Sequence, residues 1–466
     1  MTDETSYDVQ IFVLDAYPHK GKKNTFTYWV QWRVIRKRFK QKYATKALAE
    51  GFRSDLIAAA RKGEAFRVFD GLPVSMARQS DEMSWYEFAC AFVDMKWPHV
   101  AATTRRTHAE ALTRATPAMF SSTKGKPDDA LIRSALTRWG FNTSRRAGAD
   151  VPEDVRRALK WVQANTLPVT ALRDAQVLRP LLDRLAVKLD GKPAAPSVVS
   201  RQRKILGTAM EYAVERKLLD TNPIPALKWI APRKTVQAID QRRVANPAQV
   251  RDLLDAVRVQ KRSGPRLVAF FGCLYYAGMR PEEAAALSKH QLSLPEEGWG
   301  EIHLETARPH AGKEWTDSGK NRDERQLKQR DAGTIRPVPS PPELTALLHR
   351  HMRVYGTAED GRLFRGERNN DELPKLTILR AWRKAREKAL PPELAATDLA
   401  ASPYDLRHAG VSLWLSSGVP PKQVAEWAGH SLEVLFRIYA HVLSGSNDAI
   451  RALVEAGLKG ASDDSE

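Results

Sequence analysis

The sequence predicts a multidomain chain, mainly α with small β elements, and three observations carry that prediction. Its 466 residues suffice for three domains at about 150 residues each. Alternating β-branched and aromatic runs cluster near the N-terminus, as half-buried strands require. From Ser84 onward apolar residues recur mostly at helical spacing, interrupted by a polar, Gly-rich stretch from Ser288 to Arg336 with room for two or three strands.

The first unit, residues 1–75, reads as a small sheet packed on one helix. VQIFVL (9–14) and TFTYWVQWRVI (25–35) are strand-like and flank a Gly-Lys-Lys-Asn turn. In the second run Tyr28, Val30, Trp32 and Val34 share one face, with Trp29, Gln31 and Arg33 on the other. Thr45 to Arg61 reads as a helix with Leu48, Phe52, Ile57 and Ala60 on its apolar side.

The second unit, 80–230, is helical. One helix carries Trp85, Phe88, Phe92 and Met95. Another, Pro196 to Lys217, carries Val199, Ile205, Met210, Tyr212 and Val214, with Arg201, Arg203 and Lys204 on its exposed side; Asn222-Pro223 stops the chain soon after. Residues 231–245 lack helical periodicity and read as a basic linker. Asn246-Pro247 then supplies an N-cap and first-turn pair that opens a third unit, 246–460.

Lys plus Arg number 74 against 55 Asp plus Glu, a net charge of +19, while 42% of residues are hydrophobic. Such a chain folds, and its charge favours a polyanionic partner, nucleic acid or an acidic membrane surface. No Asp or Glu occurs between Asp15 and Glu50, whereas Lys37, Arg38 and Lys40 are among ten cations there. The longest mostly apolar stretch, Leu267 to Met279, is too short to span a bilayer, and the acidic, polar N-terminus is unlike a signal peptide. A cytoplasmic protein is therefore expected. Only Cys90 and Cys273 are present, too few for a cysteine zinc site or a disulfide framework, so two buried free thiols are expected and no metal.

Two segments of the third unit differ from ordinary core. CLYYAGMRPEEAAALS (273–288) runs an apolar helix into a break and leaves Arg280 at the start of the next, with Glu283 one turn on to hold it. A guanidinium so placed can clamp a phosphate. SPYDLRHAGVSLWLSSGVPPKQVAEWAGHSLEVLFRIYAHV (402–442) reads as three short helices, Asp405–Ser416, Pro421–Ala428 and Leu432–His441, closed by Gly418 and Gly429 and capped by Ser431. They carry Arg407, His430 and Tyr439.

Arg280 in AGMRPEEAAALS, Arg407 in YDLRHAG, His430 in WAGHS and Tyr439 nine residues later resemble the tyrosine recombinase family, of the phage-integrase type, across its catalytic domain. The wording VAEWAGHS and LRHAGVS looks most like integrases of actinobacterial phages and integrative elements. The resemblance implies an arm-site-binding N-terminal domain, a helical core-site-binding domain and a catalytic domain that cuts DNA without metal, cofactor or ATP. Tyr439 would be the nucleophile, giving a 3′-phosphotyrosyl intermediate. Arg280 and Arg407 would clamp the non-bridging oxygens and His430 would donate a further hydrogen bond. The general acid would be a lysine on a β-hairpin. Lys313, Lys320 and Lys328 compete for that role, and Lys328, ahead of Arg336-Pro337-Val338-Pro339, fits best.

Tyr404 stands where the family usually has histidine. A phenol is a poor base at neutral pH, so Tyr404 is expected to position groups, although it is also a rival nucleophile. His408 reads as a buried helix-packing histidine, and Tyr275, Tyr276, Trp414 and Trp427 as core. Lys37, Arg38, Lys40, Arg201, Arg203 and Lys204 are the expected DNA contacts. The resemblance further implies a homotetramer on double-stranded DNA, with a helix around Ala449 to Ala456 packing on a neighbour, a directionality factor, a DNA-bending protein and a bacterial, nucleoid-associated setting. A type IB topoisomerase-like enzyme, a non-catalytic DNA-binding regulator and a metal-dependent nuclease are the competing readings.

Overall fold

The computed structural model describes residues 4–18, 26–76, 83–146, 148, 150–232, 239–328, 333–367, 372–443, 451 and 455. The turn at 21–24, residues 233–238 of the linker, most of the segment expected as a helix around Ala449 to Ala456 and the acidic tail lie outside these residues. The architecture is mainly α with small sheets, as the sequence predicts. Among the described residues no helix is long and apolar enough to cross a membrane.

In the N-terminal unit β1 (Val9–Ile11), β2 (Asp15–Pro18), β3 (Phe26–Val34) and β4 (Lys37–Tyr43) form an antiparallel sheet. Strand β3 is central and pairs with all three others. Its Val30, Trp32 and Val34 are buried against α1 (Lys46–Arg61), which Thr45 caps. Trp32 also donates its indole N–H to the Gly71 carbonyl at 2.5 Å. One strand was not expected and one expectation needs correction. Strand β4, KRFKQKY, has too little apolar alternation to announce itself, and antiparallel pairing with β3 along its whole length, from Val34 with Lys37 to Tyr28 with Tyr43, makes it a strand instead. The buried stripe of α1 is Ala49, Leu56 and Ala59 with Phe52 half-buried, whereas Leu48 is half exposed and Ala60 exposed. Small alanines let the helix lie close to the sheet, which rotates the face predicted from the larger side chains.

The helical unit packs α2 (Trp85–Lys96), α3 (Ala102–Ala115), α4 (Ala175–Leu185) and α5 (Pro196–Glu215) around Trp85, Phe88, Phe92, Leu112, Leu182 and Met210. Ser84 and Glu87 cap α2 reciprocally, satisfying N–H groups the first turn cannot pair internally.

The third unit is built around α7 (Gly264–Tyr276), apolar on nearly every side and flanked by α6 (Pro247–Arg258), α9 (Pro342–Tyr355) and α11 (Tyr404–Ser416). Asn246 and Gln249 form the capping box that opens α6. Between them come α8 (Pro281–Ala284), β5 (Leu292–Ser293), β6 (Gly300–Leu304), β7 (Thr306–Ala307), β8 (Arg325–Gln326) and β9 (Arg336–Ser340). They make an antiparallel sheet in the order β9-β6-β5 and a separate β7-β8 pair. The chain closes with α10 (Lys375–Ala389), α12 (Pro421–Ala428) and α13 (Leu432–Leu443). Gly410 is where α11 touches α7: a Cβ there would lie 1.9 Å from the Tyr275 carbonyl oxygen, so no other residue fits. Cys273 is buried as expected, but Cys90 is only half-buried; both are free.

Two connections join the units. Ile239, near the end of the linker, donates its backbone N–H to the Ile438 carbonyl at 3.1 Å, and Ala245 is buried in the third unit's core. The loop between β7 and β8 reaches the other way. Its Ala311 and Trp315 belong to the core of the helical unit. Arg105 donates to the Trp315 carbonyl at 2.9 Å and pairs with both oxygens of Asp317, at 2.6 and 2.9 Å; Asn142 donates to the Glu314 carbonyl at 2.8 Å.

Candidate active site

The break between α7 and α8 sets Arg280. Pro281 forces the residue before it out of the helical region, and Arg280 adopts φ −73°, ψ 149°. Its backbone N–H donates to Glu283 Oε2 at 2.8 Å, its Nη1 to Oε1 at 2.6 Å, and its Nη2 to the Gly429 carbonyl at 2.8 Å. Glu283 thus holds the fork, as its spacing suggests.

Arg336, at the start of β9, grips the same carboxylate from the other side, with Nη1 at 3.0 Å from Oε1 and Nη2 at 2.6 Å from Oε2. Burial would raise the Glu283 pKa, but Arg336 and Arg280 outweigh it and hold it at about 2. Gly429 ends α12 in the left-handed region (φ 61°), and a Cβ there would lie 2.3 Å from Arg336 Nη1. The Gly-His-Ser turn therefore needs its glycine for conformation and for clearance.

Arg407 lies in the first turns of α11 and is fully buried. It donates to the carbonyls of Gly278 and, at 2.5 Å, Ala428, so one side chain ties the α7 end to the α12 end. Its Nη2 also lies 2.8 Å from His430 Nε2. A guanidinium can only donate, so that nitrogen of His430 is the acceptor and Nδ1 carries the hydrogen. Nδ1 is buried and has no hydrogen-bond partner among the described residues; the same holds for Arg407 Nε. Burial, and then Arg407 and Arg280, push the His430 pKa down to about 3, which keeps the ring neutral.

Tyr439 is fully buried at a kink in α13, where its φ and ψ (−111°, 19°) leave the helical range. The kink turns the phenol under α11. Its hydroxyl lies 2.9 Å from His408 Nδ1, and its ring 6.1 Å from that of His430. Burial raises the phenol's pKa well above the ordinary value, against the opposing pull of Arg407.

The structure thus gathers Arg280, Arg407, His430 and Tyr439 in one pocket, with Arg336 and His408 beside them. The packing role expected for His408 is incomplete: it touches the Tyr439 hydroxyl as well. Adjacent helical residues point about 100° apart, so Arg407 and His408 can serve one pocket, a signal legible in the sequence. Tyr404 makes ring contacts, 5.0 Å from His408 and 6.0 Å from the Arg407 guanidinium. Lys328 is exposed just beyond β8, and among the described residues no hydrogen bond or ion pair joins its side chain to this cluster. Lys313 and Lys320 lie in the β7-β8 loop whose Ala311 and Trp315 dock on the helical unit, ahead of β8 in the chain, whereas Lys328 follows it.

At the pocket three buried guanidinium groups, of Arg280, Arg336 and Arg407, face one buried carboxylate, Glu283. Surplus buried positive charge is costly unless an anion shares it. A phosphodiester would supply that charge, and the transition state of its cleavage more of it. Among the described residues no group of three or more His, Cys, Asp or Glu could hold a metal ion.

The candidate DNA contacts lie on two other surfaces. Arg38 and Lys40 stand on the open face of the N-terminal sheet, over Phe12 and Trp29. Lys37 instead turns to the packed side and donates to the Phe69 carbonyl at 2.9 Å. On α5, Arg201 and Lys204 are exposed but Arg203 is half-buried, a correction to its reading as a surface cation. Arg203 and Lys204 line a concavity of about 570 Å³ with Glu211 and Trp229.

Residues 243–445 match the Phage integrase family. No curated protein matches this chain. Among solved structures, it is similar to the Tn1549 transposon integrase in complex with a circular intermediate DNA, at 16% identity and a TM-score of 0.45, over 70% of this chain and 99% of that one. It is also similar to the XerH site-specific recombinase bound to a palindromic difH substrate, at 14% and 0.44, over 80% and 95%. A lambda integrase tetramer bound to a Holliday junction matches at 12% and 0.45, over 87% and 92%. The family match spans Arg280, Arg336, Arg407, His430 and Tyr439 together. Residues 243–445, less than half of the chain, are thus similar to the Phage integrase family, a family of tyrosine-type site-specific recombinases.

Proposed function

We propose that this chain is an integrase of a phage or other mobile element, one that cuts and rejoins DNA through a 3′-phosphotyrosyl intermediate on Tyr439. The observation that carries the reading is the pocket itself, where a buried phenol shares space with surplus guanidinium charge and a histidine N–H that has no partner among the described residues. Arg280 and Arg407 would hold the non-bridging oxygens of the scissile phosphate, and His430 Nδ1–H would donate to the same group. Arg336 would keep Glu283, and so Arg280, in place. Tyr404 would pack rather than react. Cutting stores the phosphodiester bond energy in the protein-DNA link, so a 5′-hydroxyl can rejoin it without ATP.

Lys328 would protonate the leaving 5′-oxygen. The anchoring of Ala311, Glu314 and Trp315 to the helical unit supports this choice, because it commits the Lys313 end of the loop elsewhere. The helical unit (80–230), the linker (231–245) and the catalytic unit (246–460) would clamp a core site. The open face of the N-terminal unit (1–75) would hold an arm site, and two tethered sites raise the local concentration of each. Strand exchange would take place in a homotetramer on two duplexes in the bacterial cytoplasm, with a directionality factor and a DNA-bending protein.

The test is a supercoiled plasmid carrying the DNA that adjoins this chain's own coding sequence, incubated in EDTA and quenched with detergent. A covalent protein-DNA adduct is expected, lost in Tyr439→Phe and kept in Tyr404→Phe. An adduct that survives Tyr439→Phe, or one that forms only with added metal, overturns the reading.

A further inference from the structure

We infer that His408 is the general base of strand cleavage, taking the phenolic proton of Tyr439 as its oxygen attacks phosphorus. The inference rests on the reading of Tyr439 as nucleophile and adds a residue to it.

The geometry selects this histidine over its neighbours. His408 Nδ1 lies 2.9 Å from the Tyr439 hydroxyl, the distance of a hydrogen bond ready for transfer. His430, the other imidazole near the phenol, has its acceptor nitrogen occupied by Arg407 and presents an N–H from the other, so it has no lone pair to offer. Tyr404 cannot replace it, being a phenol itself. Its ring instead stands edge-on to His408 one helical turn away, at 5.0 Å and 68°, and fixes the imidazole plane.

The charges around His408 keep its lone pair free. On its own helix it faces Asp405, Arg407 and Tyr404; Arg243 approaches from the linker end, and Tyr439 and His430 from the α13 side. Arg243 Nη2 lies 3.5 Å from Asp405 Oδ2, which spends the nearest carboxylate on an ion pair. Burial, opposed by Asp405 and aided by Arg407 and Arg243, takes the His408 pKa down to about 4. The ring is therefore neutral across the physiological range. It is a weak base toward a free phenol, but the phenol becomes strongly acidic as its oxygen bonds to phosphorus, so transfer turns favourable along the reaction.

The step balances. The Tyr439 oxygen-phosphorus bond forms, the phenolic proton passes to His408 Nδ1, the bond from phosphorus to the 5′-oxygen breaks, and that oxygen takes a proton from Lys328. In rejoining, the 5′-hydroxyl returns its proton to the lysine and the His408 imidazolium returns its own to the departing phenolate.

Adduct formation on the same plasmid, with DNA binding measured alongside, separates the roles. His408→Ala and His408→Gln are expected to bind DNA as the parent does but to form adduct about 100-fold more slowly, the usual worth of general-base catalysis. The parent rate should be flat above about pH 6, since the base is already free, while the variants' rates should rise with pH as the phenolate population grows. Imidazole added to His408→Ala should restore part of the rate. In His408→Gln the amide oxygen can accept the tyrosine's hydrogen bond without taking its proton. A Gln variant with the parent's rate and flat pH profile would overturn the inference, leaving His408 a positioning residue. If His408→Ala loses DNA binding, the Gln variant and its pH profile decide. Tyr439→Phe distinguishes the failures. Adduct in that variant means the nucleophile reading has failed; no adduct there but parent-like His408 variants means only the present inference has.

Discussion

The open face of the N-terminal sheet and the candidate catalytic pocket both carry basic residues, but they hold them in opposite ways. Arg38 and Lys40 lie in water, over aromatic rings, and among the described residues none of their charge is committed to a carboxylate. Arg280, Arg336 and Arg407 are almost fully buried, and each is fixed by at least two carbonyl or carboxylate oxygens. Exposed charge suits affinity, since phosphate contacts in water act by releasing counterions and tolerate imprecise geometry. Buried charge suits catalysis, since donors fixed in advance need not reorganise as negative charge develops.

This contrast predicts how each region breaks. The largest effect belongs to Arg407→Ala, which should slow adduct formation by about 1,000-fold or more, at the upper end for one fixed donor, while DNA binding measured by gel shift stays within a factor of a few. Equal losses in binding and cleavage would mean that the pocket's charge works merely as bulk attraction.

Glu283→Gln comes next. Removing the carboxylate leaves two buried guanidinium groups without a counter-charge, at a cost of about 3–5 kcal/mol in unfolding free energy. The pH dependence has a definite sign. Because the folded-state pKa is held at about 2 against an ordinary 4.5, Glu283 stabilises the fold above pH 4.5 and that contribution disappears as pH falls toward 2. Chemical unfolding at a series of pH values should show this component in the parent and not in the Gln variant.

Trp315→Ala should cost about 3 kcal/mol by emptying a buried aromatic site, and the loss should appear as release of the β7-β8 loop. Limited proteolysis would cut that loop faster while the isolated helical signal in circular dichroism persists. The smallest effect is expected for Arg38→Gln with Lys40→Gln. Binding to the arm site should weaken, with the slope of log affinity against log salt reduced by about 1.8 at two phosphate contacts, and cleavage of a core site alone should be unchanged.

Much of the catalytic unit was legible in the sequence because its signals are local. Pro281 sets the start of α8, Asn246 and Ser431 cap their helices, and the spacing of Gly429, His430 and Tyr439 is fixed within two short helices. Strand β4 and the true face of α1 were not legible, because one depends on a partner strand and the other on how closely alanines let the helix approach.

By itself, then, the sequence determined the starts of the helices that carry a clear cap, the basic character of the chain and which arginines, histidine and tyrosine belong together. Only the tertiary structure decided that Arg336 shares Glu283 with Arg280, that His408 meets the Tyr439 hydroxyl and that Trp315 belongs to the helical unit's core. The physical reason is range. Caps, prolines and periodicity act within a few residues and can be read in order, whereas these contacts join residues 31 or more positions apart whose side chains meet only after the helices have packed.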